Sequence, residues 1–183
     1  IYDTLYTENY REQFTGIENA RKIAIEHFII KVLQINDAKL VLDYGAGNGL
    51  YVSVWEKIFK NAQLFCCDIS QVALDKLVAK HRHLSNRTYL IGMNQRGVDD
   101  NKFDVILSIE VMEHVQDLDK YLLDIFRLLR PGGSFVWTTP CANPFSIEHL
   151  YSYLTGQIEK TEEGLRRWSW EDPTHVRRLK SIE

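Results

Sequence analysis

Short apolar runs alternate along the chain with longer segments in which apolar residues recur at helical spacing. The short runs predict buried strands, and the amphipathic segments between them predict helices. The predicted strands are residues 39–44, 62–67, 87–91, 101–108 and 133–139, and the predicted helices are residues 17–35, 50–60, 70–83, 117–130 and 146–155. This alternation favours an α/β fold, a doubly wound and mainly parallel sheet with helices on both faces.

Two of the predicted helices have a distinct apolar face. In the first helix, the face contains Ile17, Ala20, Ala24, Phe28 and Val32. The helix over residues 70–83 starts at Ser70, whose hydroxyl suits an N-cap. Its apolar side contains Val72, Leu74, Leu77 and Val78. We expect both faces to be buried.

A glycine-rich turn follows the first predicted strand. Residues 41–49 are Val-Leu-Asp-Tyr-Gly-Ala-Gly-Asn-Gly, and Asp68 ends the second strand nineteen positions after Gly49. Glycine lets the backbone turn sharply and lets a ligand approach without meeting a Cβ atom. The next helix directs its N-terminal amides toward the same crevice. A carboxylate at Asp68 could accept both hydroxyls of a ribose, so the pattern predicts a nucleoside-containing cofactor. The alternative is a tight strand–helix turn with no ligand.

The third glycine distinguishes between two cofactor classes. The dinucleotide fingerprint places a small residue three positions after its second glycine, and that position here is Leu50. Gly45, Gly47 and Gly49, preceded by Asp43, instead resemble motif I of the class I S-adenosylmethionine-dependent methyltransferases. The resemblance implies a Rossmann-like fold and S-adenosylmethionine as the cofactor.

Further motifs extend this resemblance over roughly residues 39–140. Phe103-Asp104 resembles the start of the fourth strand, and the segment 128–137 resembles the helix end, Pro-Gly-Gly turn and fifth strand of the family. The segment Glu110-Val111-Met112-Glu113-His114-Val115 is common in members that methylate small molecules and quinones. The resemblance therefore favours methyl transfer to a small-molecule acceptor, with oxygen as the first choice of atom.

The same resemblance implies a set of cofactor-binding residues. The glycine turn would shape the methionine end, Asp43 would orient that turn, and Ile69 would pack on the adenine. Relatives often bind the adenine amino group through an acid where this chain has Met93, and Asn94 or a backbone amide could substitute. The expected cofactor residues are Asp43, Gly45, Ala46, Gly47, Gly49, Asp68, Ile69, Met93, Asn94 and Ser108.

His114 is the candidate general base because it follows the fourth strand, near where the family delivers the methyl group. The alternative is that Glu113 and His114 only hold the loop in place. His149 lies among Phe145, Tyr151 and Tyr153 in a segment that could cover the acceptor. Ordinary core residues of an added helix are the alternative for that segment.

A metal-dependent alternative uses the same region. Glu110, Glu113, His114 and the distant His175 resemble the metal-binding set of small-RNA 2′-O-methyltransferases, and Arg166-Arg167 and Arg177-Arg178 with Lys180 could hold phosphates. Relatives without a metal also contain Glu-x-x-Glu-His. Glu171 and Asp172 lie between the two arginine pairs and lower the net positive charge of that segment. The sequence therefore favours no metal and no nucleic-acid partner. Two further alternatives are a non-catalytic partner domain and a nicotinamide-dependent oxidoreductase.

Composition fits one globular domain. The chain has 183 residues, 45% apolar and 26% charged, and its net charge of −3 gives no general attraction to nucleic acid or anionic membranes. No apolar run is long enough to predict a membrane span. Cys66, Cys67 and Cys141 do not predict a disulfide framework, so we expect a reducing, cytoplasmic location. The oligomeric state is not indicated.

We expect one methyltransferase domain over residues 1–183, with a helical cap at 1–36, a cofactor-binding core at 37–140 and a substrate-side insertion at 141–183. The family's sheet normally continues with a sixth strand and an antiparallel seventh. The 43 residues after Pro140 do not predict two strands. The expected fold therefore lacks its last two strands, which indicates a truncated end or a missing tail. The alternative is a compact variant in which a partner covers the edge of the fifth strand.

Overall fold

A computed structural model describes residues 2–7, 16–91, 99–140, 153–155, 158–160, 166–168 and 175–176. The chain divides into two compact units. The first contains Ile1–Ile109 and Asp119–Trp137, and the second contains Glu110–Leu118 and Thr138–Glu183. No helix within the described ranges is long and apolar enough to cross a membrane.

Strands and helices alternate through most of the first unit. The helices are α1 (Tyr2–Thr7), α2 (Gly16–His27), α3 (Val52–Ile58), α4 (Gln71–Lys80) and α5 (Leu118–Leu128). The strands are β1 (Leu40–Tyr44), β2 (Gln63–Asp68), β3 (Thr88–Leu90), β4 (Phe103–Ile109), β5 (Leu129–Thr138), β6 (Ile158–Lys160) and β7 (Arg166–Trp168). A π-helical segment, Phe28–Leu33, continues α2, and short 3₁₀ helices occur at Arg82–Leu84 and Met112–His114.

Five strands form one sheet in the order β3-β2-β1-β4-β5. β1 pairs in parallel with both β2 and β4, and β2 pairs in parallel with β3. In the β1–β2 register Asp43 lies opposite Cys66 and Tyr44 opposite Cys67. The carboxyl ends of β1 and β2 therefore lie side by side, which brings the glycine turn after β1 next to Asp68. The predicted α/β fold class is confirmed.

Two predictions for the chain from residue 129 onward are wrong. β5 begins at Leu129, whereas the sequence predicted helix to residue 130 and strand from residue 133. Two strands follow Pro140, where none was predicted, and they form a separate antiparallel pair, β6–β7, with Ile158 opposite Trp168. Each has three residues and is rich in charge, so neither shows the apolar alternation by which strands are recognised. The predicted helix over residues 146–155 is described only at its end, where Tyr153 and Leu154 are helical.

The predicted buried face of the first helix is also wrong. Phe28 and Val32 are 44% and 58% exposed, whereas Ile25 and Ile29, four residues apart, are buried. This segment has apolar residues on more than one side, so helical periodicity alone allowed two faces. The π-helical hydrogen bonding from Phe28 onward changes the spacing as well.

The predicted N-cap of α4 is confirmed, and the predicted apolar side of this helix is buried at Leu74 and Leu77 and half-buried at Val72 and Val78. The Ser70 hydroxyl accepts a hydrogen bond from the Ala73 amide at 3.1 Å, as an N-cap does. Cys66 and Cys67 are buried and free. Cys141 lies outside the described residues.

Candidate functional site

The turn after β1 is held against the end of β2 by its own backbone. The amides of Gly45 and Ala46 both donate to the carbonyl oxygen of Cys67, at 2.8 and 2.9 Å. Gly45, Gly47 and Gly49 have φ angles of +82°, +55° and +82°, in the left-handed region that disfavours residues with a Cβ atom. The glycines predicted to shape this turn therefore give it a conformation that few other residues adopt.

Asp68 joins this turn to the start of α4. One carboxylate oxygen accepts the Gly47 amide at 2.8 Å, and the other accepts the Ser70 amide at 2.9 Å. The side chain is 6% exposed. Burial raises the pKa of Asp68, and hydrogen bonds from the amides of Ser70, Gly47 and Ile69 oppose that rise. The carboxylate is thus fixed by backbone contacts on both sides of the crevice.

Helix α1 lies over the same turn, which the sequence did not predict. A Cβ atom on Gly47 would come within 2.6 Å of the Tyr6 hydroxyl oxygen. The Ser70 hydroxyl donates to an Asp3 carboxylate oxygen at 2.5 Å. These contacts join residues more than forty positions apart, and no local motif marks Tyr6 or Asp3. They add a tyrosine hydroxyl and a second carboxylate to the site.

Gly49 has a different neighbourhood from Gly47. A Cβ atom there would lie 2.9 Å from Leu77 Cγ and 3.2 Å from His81 Cδ2. The first neighbour is a buried residue of α4. The close packing of α4 against the turn therefore requires glycine at this position, independently of any ligand.

Asp43 is buried just before the glycine turn. One of its carboxylate oxygens accepts a hydrogen bond from Trp55 Nε1 at 2.9 Å. Burial raises the pKa of Asp43 to about 7. The hydrogen bond from Trp55 lowers this pKa in part, whereas the nearby negative charge of Asp68 raises it. The side chain that the sequence assigned to orienting the turn is thus anchored to α3.

The remaining predicted cofactor residues differ in their accessibility. Ile69 is 52% exposed beside Asp68, so its side chain is available for contact with a ligand. Ser108 is buried; its hydroxyl donates to the Tyr44 carbonyl oxygen at 3.1 Å and accepts from the Tyr121 hydroxyl at 2.7 Å. Met93 and Asn94 lie outside the described residues.

The second unit contains a separate cluster of titratable groups. A ligand atom from each of Glu113, His114 and His175 lies within 4.8 Å of the other two. The rings of His114 and His175 pack edge to face with centroids 4.6 Å apart. Burial raises the pKa of Glu113 to about 7, and the charge of Glu110 raises it further. Glu110 has a φ of +56°, and one of its carboxylate oxygens accepts from the Thr138 hydroxyl at 2.9 Å.

The other candidates from the sequence are only partly described. Tyr153 is exposed. The backbone of Arg166 and Arg167 forms part of β7, and nothing is described of their side chains. Phe145, His149, Tyr151, Glu171, Asp172, Arg177, Arg178 and Lys180 lie outside the described residues.

A family model described as a methyltransferase domain matches residues 17–182. A ubiquinone biosynthesis O-methyltransferase of Nitrobacter winogradskyi is 34% identical over 101 residues, which cover 54% of this chain and 38% of that protein. A sterol 24-C-methyltransferase of Aspergillus fumigatus is 29% identical over 114 residues, covering 60% of this chain and 30% of that protein. The chain therefore spans well under half the length of these curated relatives.

The fold also resembles solved structures. A coclaurine N-methyltransferase bound to N-methylheliamine and S-adenosylhomocysteine superposes with a TM-score of 0.55 at 24% identity. The match covers 69% of this chain and 38% of that one. At this identity the likeness supports the architecture of the sheet and helices.

Proposed function

The chain belongs to the family of methyltransferase domains, and from this premise we propose that it transfers a methyl group from S-adenosylmethionine to an oxygen atom of a small molecule. The oxygen follows the ubiquinone biosynthesis O-methyltransferase among its relatives. The sterol 24-C-methyltransferase shows that the acceptor atom varies among related proteins, so carbon is the first alternative to test.

The observation that carries the proposal is the carboxylate of Asp68 beside the glycine turn. An ionised carboxylate offers about four acceptor positions. The amides of Gly47, Ser70 and Ile69 donate to this carboxylate and use part of that capacity. We assign its remaining acceptor capacity to the hydroxyls of a ribose. The same contacts hold the carboxylate in place before a cofactor arrives, which reduces the entropy lost on binding.

The methyl group of a sulfonium is already activated, so the domain mainly has to position it. Holding a methyl donor and an acceptor in line can supply several kcal/mol of barrier reduction. We assign the glycine turn and the buried Asp43 to the methionine end of the cofactor, and the exposed Ile69 to the adenine. Tyr6, above Gly47, is a further candidate contact for the methionine end.

His114 is the proposed proton acceptor for a hydroxyl substrate. Its imidazole packs against His175, whose side chain is buried. A general base in this role must be unprotonated, so kcat/KM should fall on the acidic limb of its pH dependence. His114→Gln should then lower turnover while leaving the affinity for the cofactor unchanged.

The test of the proposed function is isothermal titration calorimetry with S-adenosylhomocysteine, with NADH as the parallel ligand. We expect micromolar binding of S-adenosylhomocysteine alone. Binding of NADH instead would favour the oxidoreductase alternative. Binding of neither ligand would contradict a cofactor site in this chain and favour the partner-domain alternative.

A further inference from the structure

We propose that Ser108 and Tyr121 are positioning residues, which act on the cofactor through the peptide group between Tyr44 and Gly45. The inference rests on the proposed function, because it takes the glycine turn after β1 to be the cofactor site. It gives Ser108 a role other than the direct cofactor contact expected from the sequence. All four residues belong to the first unit, so the site does not depend on how the two units are arranged.

The peptide group between Tyr44 and Gly45 is held at both of its ends. Its amide, on Gly45, donates to the carbonyl oxygen of Cys67 in β2 at 2.8 Å. Its carbonyl oxygen, on Tyr44, accepts from the Ser108 hydroxyl in β4 at 3.1 Å. The paired register of β1 with β4 ends one residue earlier, at Asp43. The side chain of Ser108 therefore extends the attachment of β1 to β4 up to the first glycine of the turn.

The direction of the hydrogen bonds follows from the groups that form them. The Tyr44 carbonyl can only accept, so the Ser108 hydroxyl uses its single proton on that bond. The Tyr121 hydroxyl, 2.7 Å from Ser108 Oγ, is then the donor of the second bond. Consecutive hydrogen bonds polarise and strengthen one another. The two hydroxyls and the Tyr44 carbonyl thus form a relay, in which Tyr121 keeps the Ser108 hydroxyl in the orientation that the carbonyl requires.

The relay lies in the buried layer between the sheet and α5. Ser108 is 1% exposed and Tyr121 is 5% exposed. Tyr121, Ile125 and Leu128 form the buried face of α5, at the spacing of one side of a helix. The Tyr121 ring packs edge to face against the Tyr44 ring, with centroids 5.4 Å apart. Because solvent has so little access, water does not readily replace the Tyr121 hydroxyl as a donor to Ser108.

The relay bears on cofactor binding because the turn must be in one conformation to receive the ligand. Glycine permits many backbone conformations, so a turn with positive φ at Gly45 and Gly47 gains little rigidity from its own residues. Contacts from outside the turn have to hold it. The apparent affinity for a ligand falls in proportion to the fraction of chains that are competent to bind it. Loss of the relay lowers that fraction without removing a group that touches the cofactor.

The experiment is calorimetry with S-adenosylhomocysteine on Tyr121→Phe, Ser108→Ala and the double variant. From the usual contribution of a neutral hydrogen bond, we expect Tyr121→Phe to raise Kd about three- to tenfold. The double variant should bind no more weakly than Ser108→Ala, because both substitutions break the same relay. An unchanged Kd in Tyr121→Phe would overturn the inference, whether or not Ser108→Ala folds. A loss confined to Ser108→Ala would instead assign Ser108 to direct contact with the cofactor.

Tyr44→Phe is the matched control. It removes a tyrosine hydroxyl of similar burial, which donates to a carboxylate oxygen of Asp124 at 3.0 Å and not to the relay. Asp124 keeps its ion pair with Arg127 at 2.8 Å. The two tyrosine variants should lower the melting temperature by similar amounts, whereas only Tyr121→Phe should weaken binding. Equal weakening by both variants would contradict the inference, because the loss would then follow stability alone.

Hydrogen exchange of the backbone amides gives a second readout, which needs no ligand. In Tyr121→Phe the exchange rates of the Gly45 and Ala46 amides should rise by a larger factor than that of Leu42 within β1. The same factor at all three amides would mark a purely structural role and exclude the relay. A wild type that does not bind S-adenosylhomocysteine would contradict the proposed function, and the exchange rates would still decide whether the relay holds the turn.

Discussion

Replacing Asp68 by asparagine separates its two roles, support of the glycine turn and binding of the ribose. The substitution keeps the size of the side chain but replaces one acceptor oxygen with an NH₂ group. In the folded chain both oxygens of Asp68 accept a backbone amide, one from Gly47 and one from Ser70. One of these amides would lose its partner, and a buried unsatisfied donor costs about 1–3 kcal/mol of stability.

The effect on the cofactor follows from the same geometry. With one oxygen lost, one ribose hydroxyl loses its acceptor and the other no longer bonds to a charged group. A hydrogen bond to a charged group contributes about 1.5–3 kcal/mol, which corresponds to roughly a 10- to 150-fold increase in Kd. We therefore expect Asp68→Asn to weaken S-adenosylhomocysteine binding by that factor while the domain remains folded.

Asp104 provides a matched control at the opposite end of the strands. One of its oxygens accepts the amides of Lys39 and Leu40 at 2.6 and 2.8 Å, and the other contacts Arg130 Nε at 2.5 Å. Asp104→Asn should lower the free energy of unfolding by a similar amount and leave the affinity for the cofactor unchanged.

Calorimetry with S-adenosylhomocysteine gives Kd for each variant, and urea unfolding followed by circular dichroism gives stability. A Kd for Asp68→Asn within about threefold of the wild type would refute the ribose assignment, since the expected loss is at least tenfold. Equal weakening by Asp104→Asn would show that the loss reflects stability alone.

Three further predictions concern neighbouring positions. Because burial raises the pKa of Asp43 from 3.8 to about 7, the unfolded chain releases a proton at lower pH than the folded chain does. The free energy of unfolding should therefore fall by about 3 kcal/mol between pH 4.5 and pH 7 relative to Asp43→Asn; parallel urea curves for the two proteins would contradict this. Gly49→Ala should destabilise the fold by about 1–3 kcal/mol through its contact with Leu77, and calorimetric melting measures it; an unchanged melting temperature would exclude the packing role. Tyr6→Phe should change Kd for S-adenosylhomocysteine with little change in melting temperature if its hydroxyl contacts the cofactor; an unchanged Kd would remove Tyr6 from the site.

The sequence predicted the sheet and the cofactor turn well because both depend on local patterns. Four of the five strand segments in the main sheet lie within about two residues of their predicted bounds. The parallel register then brings Asp68 next to Gly47 as a consequence of strand order alone. A turn whose glycines need positive φ angles is visible in the sequence because few other residues adopt that conformation.

Contacts between distant parts of the chain could not be predicted in the same way. The approach of Tyr6 to Gly47 depends on where α1 packs, and α1 is a single short helix without a distinctive pattern. The buried face of α2 was mistaken because apolar residues occur on several of its sides, so the choice is made by the surface it meets.

The cluster of Glu113, His114 and His175 also depends on a contact between distant parts of the chain, which the sequence does not predict. The sequence contained all three residues and favoured no metal, because Glu-x-x-Glu-His alone does not distinguish a loop anchor from a set of ligands. The structure adds what the motif could not predict: Glu113 is fully buried, Thr139 holds one of its carboxylate oxygens, and the other oxygen lies 3.9 Å from His175 Nε2. His175 is more than sixty positions away along the chain, so its place beside Glu113 follows from tertiary packing and not from a local pattern.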